Sequence, residues 1–158
     1  LTVAIDGPAG QSSNENGYAS GGQSNPPIQS RNIIQKFPFS TDANATDVGD
    51  LVSARHIASG QSSSSDGYMS GGSGPPASTK IDKFPFSSDA NSAEVGFLTA
   101  GRQSLAGQSS TTNGYVSGGA QPAIVNTIEN FPYAISSGFA SDVGDLTLSR
   151  YGGAGQQV

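Results

Sequence analysis

A block of roughly 50 residues recurs three times along this chain, and a chain made of such copies folds as one small unit repeated, each copy burying a face against the next. Four openings mark the repeat: Leu1-Thr2-Val3-Ala4-Ile5, Leu51-Val52-Ser53-Ala54-Arg55, Leu98-Thr99-Ala100-Gly101-Arg102 and Leu146-Thr147-Leu148-Ser149-Arg150. At the same distance beyond each leading Leu stands a Gly-Gln pair, Gly10-Gln11, Gly60-Gln61, Gly107-Gln108 and Gly155-Gln156, and the first three run on into Ser-Ser. The repeats are therefore 1–50, 51–97 and 98–145, with 146–158 beginning a fourth. An opening on Leu1 rather than Met, with a stop inside a repeat, is what a piece of a longer protein is expected to look like.

A Gly-Tyr-x-Ser-Gly-Gly motif follows in each copy, carrying Tyr18 with Gly21 and Gly22, Tyr68 with Gly71 and Gly72, and Tyr115 with Gly118 and Gly119. Next come Ile34 with Phe37-Pro38-Phe39, Ile81 with Phe84-Pro85-Phe86, and Ile128 with Phe131-Pro132-Tyr133. The distance from Tyr to Phe varies, and the variation falls in Gly-, Pro- and Ser-rich stretches such as 23–29 and 73–78, where loops absorb insertions. Each copy closes on an acidic, small-residue stretch, 41–50, 88–97 and 137–145. In the first copy the pattern predicts four short strands near 9–13, 17–20, 32–37 and 47–52. The 22 glycines and 9 prolines, set against few strong helix formers, make all-β the class. Four short antiparallel strands per unit are one propeller blade, and three units leave a ring incomplete, since closed propellers hold about four to eight. A solenoid is the competing architecture; the turn-closed strands and glycine pairs, which let backbones approach, favour blades.

An aromatic strand ending in a glycine pair, an aromatic-Pro segment and an Arg before the next unit together resemble the kelch repeat. The matching residues are Tyr18, Gly21, Gly22, Phe37 and Arg55, then Tyr68, Gly71, Gly72, Phe84 and Arg102, then Tyr115, Gly118, Gly119, Phe131 and Arg150. The likeness covers nearly the whole chain. It departs at the Trp that kelch blades carry after the aromatic segment, absent here, and at Ile5, which stands where the other copies have Arg. The wording of the units, with Phe-Pro-Phe, Ala-Gly-Gln-Ser-Ser and Asp-Val-Gly-Asp-Leu-Thr, is similar to repeat arrays in virion structural proteins of aquatic bacteriophages. That resemblance implies a tail, tail-fibre or capsid-surface location.

Few residues here carry chemistry. His56 is the one imidazole, which excludes a His-pair metal site within a chain; a Ser-His-Asp arrangement would have to form around it alone. With no Cys there are no disulfides or thiolate ligands. Asp42, Asn44 and Asp47 place oxygen ligands as a calcium loop does, and Ser88-Asp89-x-Asn91 echoes them, but the loop Gly and distal Glu of an EF-hand are absent and Asx-turns explain the same residues. Arg55, Arg102 and Arg150 recur at one position, either as an anion-binding ring or as structural residues packed on a Tyr or paired with Asp47, Glu94 or Asp142. Asn44-Ala45-Thr46 is a glycosylation sequon only in a secretory setting. A net charge of −5 offers no basic surface for nucleic acid, and no apolar run is long enough to cross a bilayer as a helix.

The expected function is a non-enzymatic structural or binding module of a virion or extracellular assembly, giving a rigid platform for protein or host-surface glycan contacts. Its expected partners are other assembly proteins, further copies of itself or the rest of a longer chain. A carbohydrate-binding propeller and a self-assembling surface filament are the alternatives. A secreted propeller oxidase would need Cys, Tyr and His copper ligands that this sequence lacks.

Overall fold

The computed structural model describes residues 4–74, 76–120 and 122–155; Leu1 and Gln156 of the repeat pattern lie outside the described residues. Among the described residues every regular element is a strand. The first repeat forms an antiparallel sheet of β1 (Ala9–Ser12), β2 (Asn16–Ser20), β5 (Ile33–Pro38) and β6 (Thr46–Asp50), in that order. The second forms the same sheet from β7 (Ser59–Ser62), β8 (Asp66–Ser70), β9 (Lys80–Pro85) and β10 (Ala93–Phe97), and the third from β11 (Ala106–Ser109), β12 (Asn113–Ser117), β13 (Thr127–Pro132) and β14 (Ser141–Asp145). The first repeat adds one feature that the sequence does not announce. Its Pro-bearing stretch, expected to be plain loop, carries a two-strand ladder of β3 (Gln23–Ser24) and β4 (Gln29–Ser30).

Local chemistry explains why each motif takes its place. The second Ser of Ser-Ser closes the first hairpin: Ser13 Oγ accepts the Asn16 amide at 2.9 Å, Ser63 Oγ that of Asp66 at 2.9 Å and Ser110 Oγ that of Asn113 at 3.0 Å. The Gly of Gly-Tyr lies opposite the Phe of the third strand, and the ring covers the bare Cα: a Cβ on Gly17, Gly67 or Gly114 would overlap Phe37, Phe84 or Phe131. The glycine pairs end the second strand with positive φ, 66° and 98° at Gly21 and Gly22. The fourth strand carries a bulge in every copy, at Val48, Val95 and Val143.

Neighbouring sheets pack through their alternating faces. Tyr18 stacks on Phe86 at 4.8 Å and leans on Phe84 at 5.5 Å, while Tyr68 repeats both contacts with Tyr133 at 4.9 Å and Phe131 at 5.6 Å. The next residue along the strand points the other way, so Met69 joins Tyr18, Ile34 and Leu51 between sheets one and two, and Val116 joins Tyr68, Ile81 and Leu98 between sheets two and three. Each aromatic contact adds about 0.5–1.5 kcal/mol to what burial alone supplies.

The tightest contact is between backbones. The first strands of the three sheets lie side by side, and a Cβ on Gly60 would overlap the Gly10 carbonyl oxygen, just as one on Gly107 would overlap that of Gly60. Gly10 itself has nothing within 4 Å of its added Cβ. Gly60→Ala is therefore expected to lose about 1–3 kcal/mol or more through overpacking, whereas Gly10→Ala stays within about 0.5 kcal/mol of the parent. Urea unfolding of the two variants checks this, and equal losses would refute the close approach.

Candidate functional site

The three first hairpins put their tips together at one end of the sheets and enclose an open hollow of about 490 Å³ lined by hydroxyl and amide side chains. Two jobs divide the Ser-Ser pair. One serine caps its own turn, as above; the other reaches across sheets, where Ser62 Oγ accepts the Ser12 amide and Ser109 Oγ the Ser62 amide, both at 2.9 Å. Asn14, Ser64 and Thr111 are the exposed polar residues left on the rim. Behind the hollow the repeated Gln ties sheets together: Gln11 Nε2 donates to Tyr68 O at 2.9 Å and Gln61 Nε2 to Tyr115 O at 3.2 Å. Sequence reading saw these glutamines as markers of register only; their recurrence beside the glycine of the close approach was the signal for the second role.

A second opening of about 460 Å³ runs along the first strands of all three sheets, with Gly10, Gly60, Gly107 and Gly155 in its wall and Tyr18, Phe37 and Phe39 at its side. Its wall is mostly backbone and small side chains. Tyr18, Tyr68 and Tyr133 all have phenol pKa values pushed upward, chiefly by burial. Tyr68 O–H donates to Tyr133 O at 2.9 Å and Tyr133 O–H to Ser62 O at 2.8 Å, so both hydroxyls hold sheets together.

Arg55 and Arg102 do not line either opening. Arg55 Nη1 lies 3.2 Å from Asp82 Oδ2 and Arg102 Nη2 lies 2.6 Å from Glu129 Oε1, with all four side chains buried. The partners expected from sequence, Asp47, Glu94 and Asp142, lie elsewhere. Asp47 and Asp142 accept the amides of Gly49 and Gly144 at their bulges, and Glu94 pairs with Lys80 at 2.5 Å. The sequence pointed to the acidic stretch because it recurs in all copies; the true carboxylates stand beside the repeated Ile of the third strand. In the first repeat that place is held by the buried amide Gln35, and Ile5 holds the place of Arg. Charge is thus lost from both members together.

Each pair secures the segment that crosses from one sheet to the next. Asp82 Oδ2 also accepts the Val52 amide and the Ser92 hydroxyl, and Glu129 accepts the amide and hydroxyl of Thr99. The backbone oxygens of Arg55, Arg102 and Arg150 accept the amides of Gly22, Gly72 and Gly119 at 2.9, 2.8 and 2.9 Å. A Cβ on Gly21 would stand 2.5 Å from Arg55 O and one on Gly71 2.7 Å from Arg102 O, which explains the Gly-Gly motif. Arg150 is exposed and, among the described residues, forms no ion pair.

The remaining candidates stay dispersed. His56 is half-buried, its Nδ1 3.1 Å from Ser30 Oγ, which is its one side-chain hydrogen bond among the described residues. Without an acid on the ring the contact lacks the orienting member of a triad. Asp42 and Asn44 are exposed; Asp89 pairs with Lys36, and Asn91 accepts the Asp50 amide. No group of three or more acidic or histidine side chains able to hold a metal ion occurs among the described residues. No helix there is long and apolar enough to cross a membrane.

A scan against protein-family models and a search of curated proteins each found no match to this chain.

The buried pairs give a direct test of their structural role. Arg55→Ile or Asp82→Gln alone strands a buried charge and is expected to lose about 3–5 kcal/mol. The double variant installs the neutral combination of the first repeat and is expected to recover much of that loss. A double-mutant cycle by urea unfolding measures the coupling; additive losses would contradict it.

Proposed function

We propose that this chain is a kelch-like β-propeller segment that works as a non-enzymatic structural and binding module of a virion or extracellular assembly. The observation that carries this reading is a division of labour within each hairpin. The frame residues Gln, Ser-Ser and Gly-Tyr are constant and tied into neighbouring sheets, while the tips they hold differ: Asn14-Glu15-Asn16, Ser64-Ser65-Asp66 and Thr111-Thr112-Asn113. A rigid frame with variable polar tips suits display rather than turnover. The buried charged groups serve the joints between sheets.

A carbohydrate-binding module is the second reading, favoured by the hydroxyl- and amide-lined hollow where the tips converge. Sugar hydroxyls pair readily with such groups. One comparison separates the two. Antibodies against the chain, applied to intact particles from its source in immunogold microscopy, are expected to decorate the particle surface. The same purified chain on a glycan array reports the second reading, with binding lost in the Asn14→Ala/Ser64→Ala/Thr111→Ala variant. Label confined to the cell interior would contradict the assembly reading.

A further inference from the structure

A hydroxyl that already accepts and donates within the protein has little left for a ligand, so the hydrogen bonds of the hairpin tips separate spent groups from open ones. The second serine of each pair is spent. Ser13 Oγ accepts the Glu15 and Asn16 amides and donates to Asn16 O. Ser63 Oγ accepts the Ser65 and Asp66 amides and donates to Asp66 O, and Ser110 Oγ accepts the Thr112 and Asn113 amides and donates to Asn113 O. Two further hydroxyls at the tips are engaged locally: Ser65 Oγ donates to Asp66 Oδ2 at 2.7 Å, and Thr112 Oγ1 accepts from Asn113 Nδ2 at 3.0 Å.

The open groups all line the hollow of about 490 Å³. The side chains of Asn14, Ser64 and Thr111 form no hydrogen bond among the described residues. Behind them Ser62 is 7% exposed; its Oγ accepts the Ser12 amide, and its hydroxyl proton has no acceptor among the described residues. A buried hydroxyl proton aimed at no protein acceptor leaves a donor unused, which a ligand oxygen would satisfy.

We propose that this hollow binds a neutral sugar, held by Asn14, Ser64 and Thr111 at the rim and by the Ser62 hydroxyl behind them. Such a site rests on the carbohydrate reading given above and narrows it to one ligand class. No Lys, Arg, Asp or Glu lines the hollow, so nothing there offsets the cost of desolvating an ionised ligand. Glu15, next to Asn14, forms no ion pair among the described residues and repels acidic sugars. The Thr111 methyl group is the main apolar surface among the lining side chains, which gives a hydrocarbon little to bury against. Adjacent sugar hydroxyls, each both donor and acceptor, match a set made of one amide and three hydroxyls. The volume lies within the range of about 300–1,000 Å³ usual for small-ligand sites. Because the three rim residues differ, a sugar ring meets a different neighbour on each side and takes one orientation.

Saturation-transfer NMR titrations of the full chain test the proposal, with lactose, maltotriose and chitotriose as neutral probes and sialyllactose as the acidic counterpart of lactose. At least one neutral sugar is expected to bind, with an affinity that added salt leaves within about twofold. Ser64→Ala and Thr111→Val are each expected to weaken it about threefold to tenfold, the effect of one lost hydrogen bond. Ser65→Ala and Thr112→Val remove the neighbouring engaged hydroxyls and are expected to leave it unchanged. All four positions are exposed, and unchanged circular dichroism melts establish that each variant folds. Sialyllactose bound more tightly than lactose, or equal losses in all four variants, would overturn this site while leaving the carbohydrate reading standing. Absence of transfer to every probe would overturn both.

Discussion

The structure depends on a backbone-to-backbone approach that only glycine permits. At Gly60 and Gly107 the first strand of one sheet lies against the carbonyl of the preceding glycine in the column, with no room for a methyl group. That separation brings the Gln11 and Gln61 amides within reach of the next sheet's carbonyls and the Ser62 and Ser109 hydroxyls within reach of the preceding sheet's amides. It also sets the distance at which Tyr18 and Tyr68 stack on the following aromatic pair. Hydrophobic burial supplies most of the driving force, but the glycine column fixes the register in which that burial happens.

Around this joint the protein uses charge for construction. Arg55 with Asp82 and Arg102 with Glu129 sit between sheets and clamp the crossing segments. Buried pairs of this kind add little net stability against a well-packed apolar alternative, yet cost heavily when halved. The first repeat has the neutral alternative, Ile5 with Gln35, and keeps the same sheet. Fold and charge pair are therefore separable, and the arginines read as parts of a joint. What remains for outside contacts is the rim of polar hairpin tips.

Much of the fold was legible because the repeat states each strand three times. The glycine pairs and the turn-rich stretches between blocks placed the four strands of the first unit to within a few residues, and the repeat carries the same four to the other units. The short ladder of β3 and β4 was not legible, because it pairs two dipeptides without apolar alternation inside a Pro-bearing stretch that differs between copies. The carboxylate partners of the arginines were hidden for a related reason: their position reads Gln35, Asp82 and Glu129, so no single residue type recurs. Its variation in step with Ile5, Arg55 and Arg102 carried the information. The hollow at the hairpin tips arises only when three sheets stand side by side, and no spacing within one repeat encodes it.

Native-state amide hydrogen exchange tests most directly whether these sheets form one locked unit. The amides of Ser12, Ser62, Gly22 and Gly72 donate across joints, to Ser62 Oγ, Ser109 Oγ, Arg55 O and Arg102 O. They are expected to exchange only through the same opening as the in-sheet amides of β2 and β8, with matching free energies. Rapid exchange at these four positions, with β2 and β8 still protected, would show sheets that open independently and would contradict the account.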